Sequence, residues 1–357
     1  MIIWSLFLFW VDLHFAPGNS GHENVSEGPM KTRAISSHLL LLPLVSLLFW
    51  LAACGQTPSP TTATNPKPTT APTIAVDAYG TPIVFPTTAP QRIVSLVPST
   101  SEMLGALHLE RRVVGVDYNT DYPSALVSLP KVSDAAGAYN VERIVGLKPD
   151  LVLSWGAETK QYDPQLKQLG LKVVDLQLSN FSQTLQEILL VGRLTLTQQT
   201  ATLLVQHLQQ QIDQIKAVVA GTMAPSVLLE VDDSAPGKPY VFGGSSFGDE
   251  LLQDANAVNI FHDNSSNGGY PQVTDEAVIK ANPQFIFLTE DPMYGGDVKQ
   301  VYNRANWSGI DAVKLHHVYH ITVAIVQRPG PRLVEGLRCV AQIVHPEKFS
   351  GALPGYC

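Results

Sequence analysis

The stretch VERIVGLKPDLVL at residues 141–153 is echoed at residues 275–287 by DEAVIKANPQFIF. Glu142 stands seven residues before Pro149 and Glu276 seven before Pro283, and the two copies are offset by 134 residues. Each proline opens a short apolar run of the kind that makes a buried parallel strand. So long an offset does not suit a solenoid, whose units repeat about every 20 to 50 residues. It calls for two similar lobes, each containing the same helix, turn and strand. With 357 residues the chain can build a core for each of them.

The flanking sequence supports alternating α and β elements. TIAVDAYGTPIVF, with Tyr79-Gly80 at its centre, reads as a hairpin. RIVSLVPSTSEMLGAL reads as strand, tight turn and helix, and Ser99 with Glu102 has the spacing of a capping box. A helix start of this kind, at the end of a strand, is a candidate edge of a ligand cleft. RVVGVD, a helix over 141–147, DLVLSW and KVVDL complete a first α/β lobe. Residues 182–221 contain no proline and few glycines, and are expected to be helical for much of their length. After Pro225 the α/β pattern resumes with SVLLEV, YVFGG, a helix at SFGDELLQDA, the echo segment, VYHITVAI and a last helix over 331–344. The expected fold is therefore α/β: an N-terminal lobe over 74–181, a bridging helical segment over 182–221 acting as a strut, and a C-terminal lobe over 222–357.

The N-terminus carries an address. From Met30 the chain reads MKTRAISSHLLLLPLVSLLFWLAACGQ, with two cations, an apolar run of 15 residues and small residues before Cys54. This is the layout of a secretion signal, and the run is shorter than the roughly 20 residues a spanning helix needs. LAAC followed by Gly55 resembles the bacterial lipoprotein signal, in which the cysteine becomes the lipidated first residue. Residues 30–53 are then a signal peptide and residues 1–29 an upstream extension; the alternative is an uncleaved anchor. Residues 54–73, rich in Thr, Pro and Ala, cannot build a core and read as a solvated tether. Either way the body is expected outside the cytoplasm and beside a membrane. Export leaves Cys339 and Cys357 as candidates for a disulfide, the alternative being one buried thiol and one terminal thiol.

Composition excludes some classes of function. The net charge is −8 and no basic stripe is visible, which argues against nucleic acid as a partner. No G-x-x-x-x-G-K-[ST] phosphate loop is present, so the chain does not hydrolyse ATP through that motif. GSSFG at residues 244–248 fits the G-x-S-x-G pattern around Ser246, in a strand-to-helix context that suits a hydrolase nucleophile. KLHHVYH offers His316, His317 and His320 as candidate zinc or manganese ligands, although all three crowd one turn and strand.

TPIVFPTTAPQRIVSLVPSTSEML, DYPSA, YNVERIVGLKPDLVLSW, GGSSFGDELLQDANAVNIF and PQVTDEAVIKANPQFIF, taken in this order, resemble the extracytoplasmic binding proteins of ABC importers for cobalamin and ferric siderophores. The likeness runs over about residues 74 to 345. It implies the class III periplasmic-binding-protein fold, with two Rossmann-like lobes, parallel-rich sheets and a long rigid bridging helix, and with ligand held between the lobes. It further implies a receptor rather than an enzyme, with no resident cofactor, since the ligand itself carries iron or cobalt. The receptor would deliver its ligand to a permease dimer driven by a separate ATPase.

By the same resemblance, Glu142 and Glu276 match the acids that dock onto the permease. A two-fold symmetric partner presents its basic patch twice, so equivalent acids on pseudo-symmetric lobes can meet both copies. Each glutamate also lies in a first helical turn, where the dipole alone favours a carboxylate. Tyr118, Asn119, Trp155, Tyr240 and Tyr270 fall at pocket positions, where aromatic faces suit a flat macrocycle. Arg328 matches a ligand-contacting arginine, whose planar fork suits an anionic chelate. Ala324, Ile325, Ala135 and Ala136 replace pocket residues of the cobalamin reader, which leaves cobalamin unfavoured over an iron chelate.

Overall fold

The computed structural model describes residues 75–290 and 296–357. The segments expected to be an upstream extension, a signal peptide and a tether, including Cys54, lie outside the described residues.

Strands β1 (Ile93–Ser95), β2 (Val113–Val116), β3 (Leu151–Trp155) and β4 (Val173–Leu176) form a parallel sheet in the order β2-β1-β3-β4. All but Val114 and Trp155 of these residues are buried, as expected of apolar runs covered on both faces. The second sheet is built from β5 (Ser226–Asp232), β6 (Tyr240–Val241), β7 (Val258–Asn259), β8 (Phe285–Leu288) and β9 (Val318–His320). Its order is β6-β5-β8-β9, with β7 also on β5, and only β6 runs antiparallel to its neighbour. The chain thus has two lobes with parallel-rich sheets. Each presents the carboxyl ends of its strands, where open α/β sheets place ligands.

The sequence echo reappears as backbone. Helix α2 (Val141–Gly146) is capped by Asn140, whose side chain accepts from Arg143 N–H, and helix α6 (Asp275–Ala281) by Thr274, whose side chain accepts from Ala277 N–H. Asn140 and Thr274 are 134 residues apart, and so are Lys148 and Asn282, both left-handed at φ 49° and 47°. Pro149 and Pro283 come next, and β3 and β8 begin at equivalent positions, Leu151 and Phe285. β1 pairs with β3 as β5 pairs with β8.

The bridge contains two helices. β4 leads to α3 (Phe181–Thr195), and the long helix α4 (Gln198–Val219) comes after it. At 22 residues α4 is about 33 Å long, at 1.5 Å per residue. The break falls at Leu196, whose left-handed φ of 56° ends α3, and Thr197 N–H then bonds back to Gly192 O. Gly192 makes the tight corner feasible, because a Cβ there would sit 2.4 Å from Ala201 Cβ. The start of α3 belongs with the C-terminal lobe, where Phe181 N–H donates to Glu250 Oε2 at 2.7 Å. Its end meets the N-terminal lobe, where Arg112 Nη1 donates to Thr195 O at 3.0 Å. α4 then returns to the C-terminal lobe, pairing Lys216 with Asp254. Ile188, Val191, Leu194, Leu208, Ile212 and Ile215 of these helices join one apolar core that includes residues of both sheets.

The last helix, α7 (Leu333–Val344), packs on α4 and on α5 (Phe247–Asp254). Cys339, buried within α7, is disulfide-bonded to Cys357 and ties the carboxyl terminus to the core.

Candidate functional site

Open α/β sheets place ligands at the carboxyl ends of their strands, so the candidate cleft lies among the segments that leave those ends. In the N-terminal lobe, β2 runs into Asp117, Tyr118, Asn119 and Thr120. The Asp117 carboxylate is buried and organises this turn, accepting from Asn119 N–H at 2.8 Å and also from the Thr120 hydroxyl. Tyr118 is held through its backbone by Ser133 Oγ at 2.8 Å, and its side chain is exposed. Trp155 closes β3 and is half-buried, with one part of the indole against the main core. In the C-terminal lobe, Tyr240 lies in β6 and Tyr270 packs its ring on Phe242, centroids 5.4 Å apart. Both tyrosines are half-buried, and the segments carrying them run side by side, Val241 N–H bonding to Pro271 O and Gly243 N–H to Gly269 O. The structure therefore groups Tyr118, Asn119 and Trp155 on one lobe and Tyr240 with Tyr270 on the other.

Arg328 is placed where the two lobes meet. It comes from the loop after the short helix Val323–Val326, itself just beyond β9. Its Nη1 donates to Asp121 Oδ1 at 2.5 Å and stands 4.0 Å from Glu102 Oε1. Asp121 and Glu102 belong to the N-terminal lobe. Next to it, Arg332 grips Glu102 with Nε at 3.1 Å and Nη2 at 2.5 Å, and lies over the Tyr122 ring, 4.3 Å from its centroid.

The capping box expected at Ser99 and Glu102 does not form. Helix α1 (Pro98–Ala106) starts two residues earlier, with Val97 at the cap position, no side-chain cap and Pro98 in the first turn. Proline suits that place because its missing N–H would have had no helical partner. Glu102, 1% exposed, turns away from the backbone to meet Arg332. Burial raises the Glu102 pKa, and the two guanidinium groups pull it back. Asp117 is pushed up to about 6 by burial, against the opposing effects of Thr120, Asn119, Arg328 and Lys131. The sequence offers Glu102 only as a capping residue of a helix start, and no local pattern marks its pairing with Arg332, or that of Asp121 and Tyr122 with Arg328 and Arg332, because these cations lie more than two hundred residues away.

A second polar group sits at the end of β5. Arg304 binds Glu230 through both terminal nitrogens at 2.6 Å and Asp233 at 2.8 Å, and its guanidinium lies over Trp307. Burial and the neighbouring charge of Glu230 drive the pKa of buried Glu290 upward. In the N-terminal lobe, Asp77, Asp163 and Asp175 are buried around Ser154, with Lys167 paired to Asp77 at 3.2 Å.

The two alternative readings meet specific obstacles. Ser246 caps α5: its Oγ donates to Gly243 O at 2.6 Å and accepts Asp249 N–H at 3.2 Å. The hydroxyl proton is thus committed to a carbonyl. His262 does meet Asp249, Nδ1 to Oδ2 at 2.9 Å, but that contact orients no base onto Ser246 Oγ. The left-handed residue of this turn is Ser245 at φ 70°, whereas Ser246 is extended. The histidines diverge: His316 tilts against Tyr302, His317 stacks on Phe285 at 4.6 Å, and His320 Nε2 is 2.7 Å from Glu290 O. Among the described residues no group of three or more His, Cys, Asp or Glu could hold a metal ion.

The acids at the echoed positions are both exposed. Glu142 and Glu276 are each the second residue of a side-chain-capped helix, α2 and α6. The pKa of Glu276 is lowered by hydrogen bonds from its own backbone N–H and from Thr274.

Comparison with known proteins agrees with this architecture. Residues 93–324 match the family described as periplasmic binding protein. The chain is 33% identical over 327 residues to an uncharacterized ABC transporter substrate-binding lipoprotein, YvrC, of Bacillus subtilis, covering 90% of this chain and 99% of that one. It is 25% identical to the vitamin B12-binding protein of Vibrio cholerae, covering 70% and 87%. A solved structure of a possible iron-binding (periplasmic solute-binding) protein from Staphylococcus epidermidis superposes with a TM-score of 0.63 at 28% identity, covering 72% of this chain and all of that one. Two echoed lobes joined by a helical bridge are thus found in a chain that belongs to the periplasmic binding protein family.

Proposed function

We propose that this protein is the substrate-binding component of an ABC importer, one that captures a metal chelate, either a cobalamin-type corrinoid or an iron chelate, between its lobes and hands it to a membrane permease with a separate ATPase. The observation that carries this reading is the repetition of an exposed, helix-start glutamate on two lobes of a binding-protein fold. The 134-residue relation extends through cap, left-handed residue, proline and strand, so Glu142 and Glu276 stand at equivalent places. A ligand site alone would not require such matched surface acids, whereas a two-fold symmetric permease would. Tyr118, Asn119, Trp155, Tyr240, Tyr270 and Arg328 are the residues assigned to the ligand. Relatives named for vitamin B12 and iron support the ligand class. Cys54 is assigned as the lipid attachment point, which makes the chain an extracytoplasmic lipoprotein.

The test has two arms. Tryptophan fluorescence of the full chain in detergent, titrated with cyanocobalamin, haem and ferric siderophores, should report binding of at least one chelate; flat titrations with all of them refute the reading. In cells, Glu142→Lys or Glu276→Lys should impair uptake and the double variant should nearly abolish it, with increasing loss of docking at high ionic strength in the parent protein. Normal uptake by the double variant, correctly folded and exported, removes the docking role.

A further inference from the structure

Arg328 is the one cationic residue assigned above to the ligand, yet it already has a partner. Its side chain is 18% exposed and its Nη1 lies 2.5 Å from Asp121 Oδ1, while the Asp121 side chain is 58% exposed. Asp121 reaches Arg328 across 207 residues of sequence and from the opposite lobe. Both residues lie past strand ends, Asp121 beyond β2 and Arg328 beyond β9, so the pair joins the two lobes at the end of the sheets where the candidate cleft lies. Exposed Tyr118 and Tyr122 flank Asp121 in the same turn.

The neighbouring groups do not restore a positive field. Arg332 is consumed by Glu102 through two hydrogen bonds. Lys131 Nζ is anchored on Thr120 O at 3.0 Å, beside the buried Asp117 carboxyl. The cations Arg328, Arg332 and Lys131 are therefore balanced by the carboxyl groups of Glu102, Asp117 and Asp121. An anionic chelate approaching Arg328 would have to displace Asp121, and would then face a carboxylate released next to it. A chelate without net negative charge has neither cost, and can use the aromatic faces instead.

We infer that Asp121 is a specificity-determining residue: by holding Arg328 in an inter-lobe ion pair it biases the cleft against anionic chelates and toward ligands with no net negative charge. This inference rests on the chelate-binding reading and narrows its ligand class. It also changes the role of Arg328, from an anchor for ligand oxygens to half of a neutral pair at the cleft edge.

The experiment compares neutral probes (cyanocobalamin and a ferric trihydroxamate) with anionic probes (a ferric tricatecholate and haem), titrated by fluorescence into the full chain in detergent and into Asp121→Asn. The parent should prefer the neutral class. The isosteric Asn removes the charge and little else, and should shift the affinity ratio about five- to tenfold toward the anionic class, the scale of one partly exposed charge pair. In an Arg328→Gln background the same substitution should no longer produce a shift of that size, because the cation it shields is gone. Thermal denaturation of each variant verifies folding. Chelate binding with a ratio that moves less than twofold, a parent preference for anionic probes, or an equal shift in the Arg328→Gln background overturns the inference and leaves the receptor reading standing. Failure of every probe to bind the folded parent overturns both.

Discussion

Replacing Arg332 by Gln should cost the protein about 3 kcal/mol of stability at neutral pH. Glu102, 1% exposed, accepts from Arg332 Nε at 3.1 Å and Nη2 at 2.5 Å, and the substitution removes both charge-assisted bonds. Stripping one partner from a buried ion pair costs about 3–5 kcal/mol, because the remaining charge stays desolvated. The lower end applies here, since Arg328 remains 4.0 Å from Glu102 Oε1. The pH dependence supplies an independent check. Burial already raises the Glu102 pKa in the folded state, and loss of the guanidinium removes the largest opposing influence. A carboxyl with a raised folded-state pKa binds more protons when native than when unfolded, so its destabilising effect shrinks as pH falls. Urea denaturation at about pH 7.5 and about pH 5 should show the Arg332→Gln deficit shrinking at the lower value. Glu102→Gln/Arg332→Gln, which buries no charge, should be more stable than Arg332→Gln alone. A deficit below about 1 kcal/mol at neutral pH, the scale of an exposed surface pair, or a deficit independent of pH, would refute the argument.

Gly192→Ala places a Cβ 2.4 Å from Ala201 Cβ and should destabilise by about 1–3 kcal/mol despite the better helix propensity of Ala, with Ala201→Gly recovering part of the loss; a stabilised Gly192→Ala in thermal denaturation would show that the corner yields freely. Asp175 is pushed up to about 7 by burial and by Asp163 and Asp77, so stability should decline as pH rises from about 4 to about 7, and Asp175→Asn should flatten that profile; an unchanged slope in Tm against pH assigns the effect elsewhere. Cys54→Ser should release the protein from membranes or leave its signal uncleaved, read by fractionation and intact mass, since acyl chains add about 0.8 kcal/mol of membrane affinity per buried CH₂; identical processing and retention would remove Cys54 as the anchor.

The parts of the fold that were legible in advance depend on neighbours in sequence. The spacing of Glu142 to Pro149 and of Glu276 to Pro283 is a local code for cap, helix, left-handed turn and strand, and the structure repeats it from Asn140 and Thr274 onward. Apolar runs such as LVL and FIF bury themselves wherever a parallel sheet covers both faces. The break at Leu196 was not legible, because neither proline nor a helix-terminal glycine marks it; what makes the corner close-packed is the meeting of Gly192 with Ala201.

The candidate site divides along the same line. The family resemblance assigned Trp155 and Tyr118 to the pocket, and each lies at or just past the end of a strand that is readable from its own apolar run. Glu102 carried the local pattern of a capping residue, yet a guanidinium 230 positions away competes better for its carboxylate than a backbone amide does. The resemblance singled out Arg328 as a candidate ligand residue, but nothing in the sequence marks its pairing with Asp121. Sequence determined the two lobes because caps, turns and hydrophobic periods act over a few residues. Only the tertiary structure decided the charge at the cleft edge, because Coulomb interactions depend on distance in space, and it is the bridge that brings the two lobes within reach of one another.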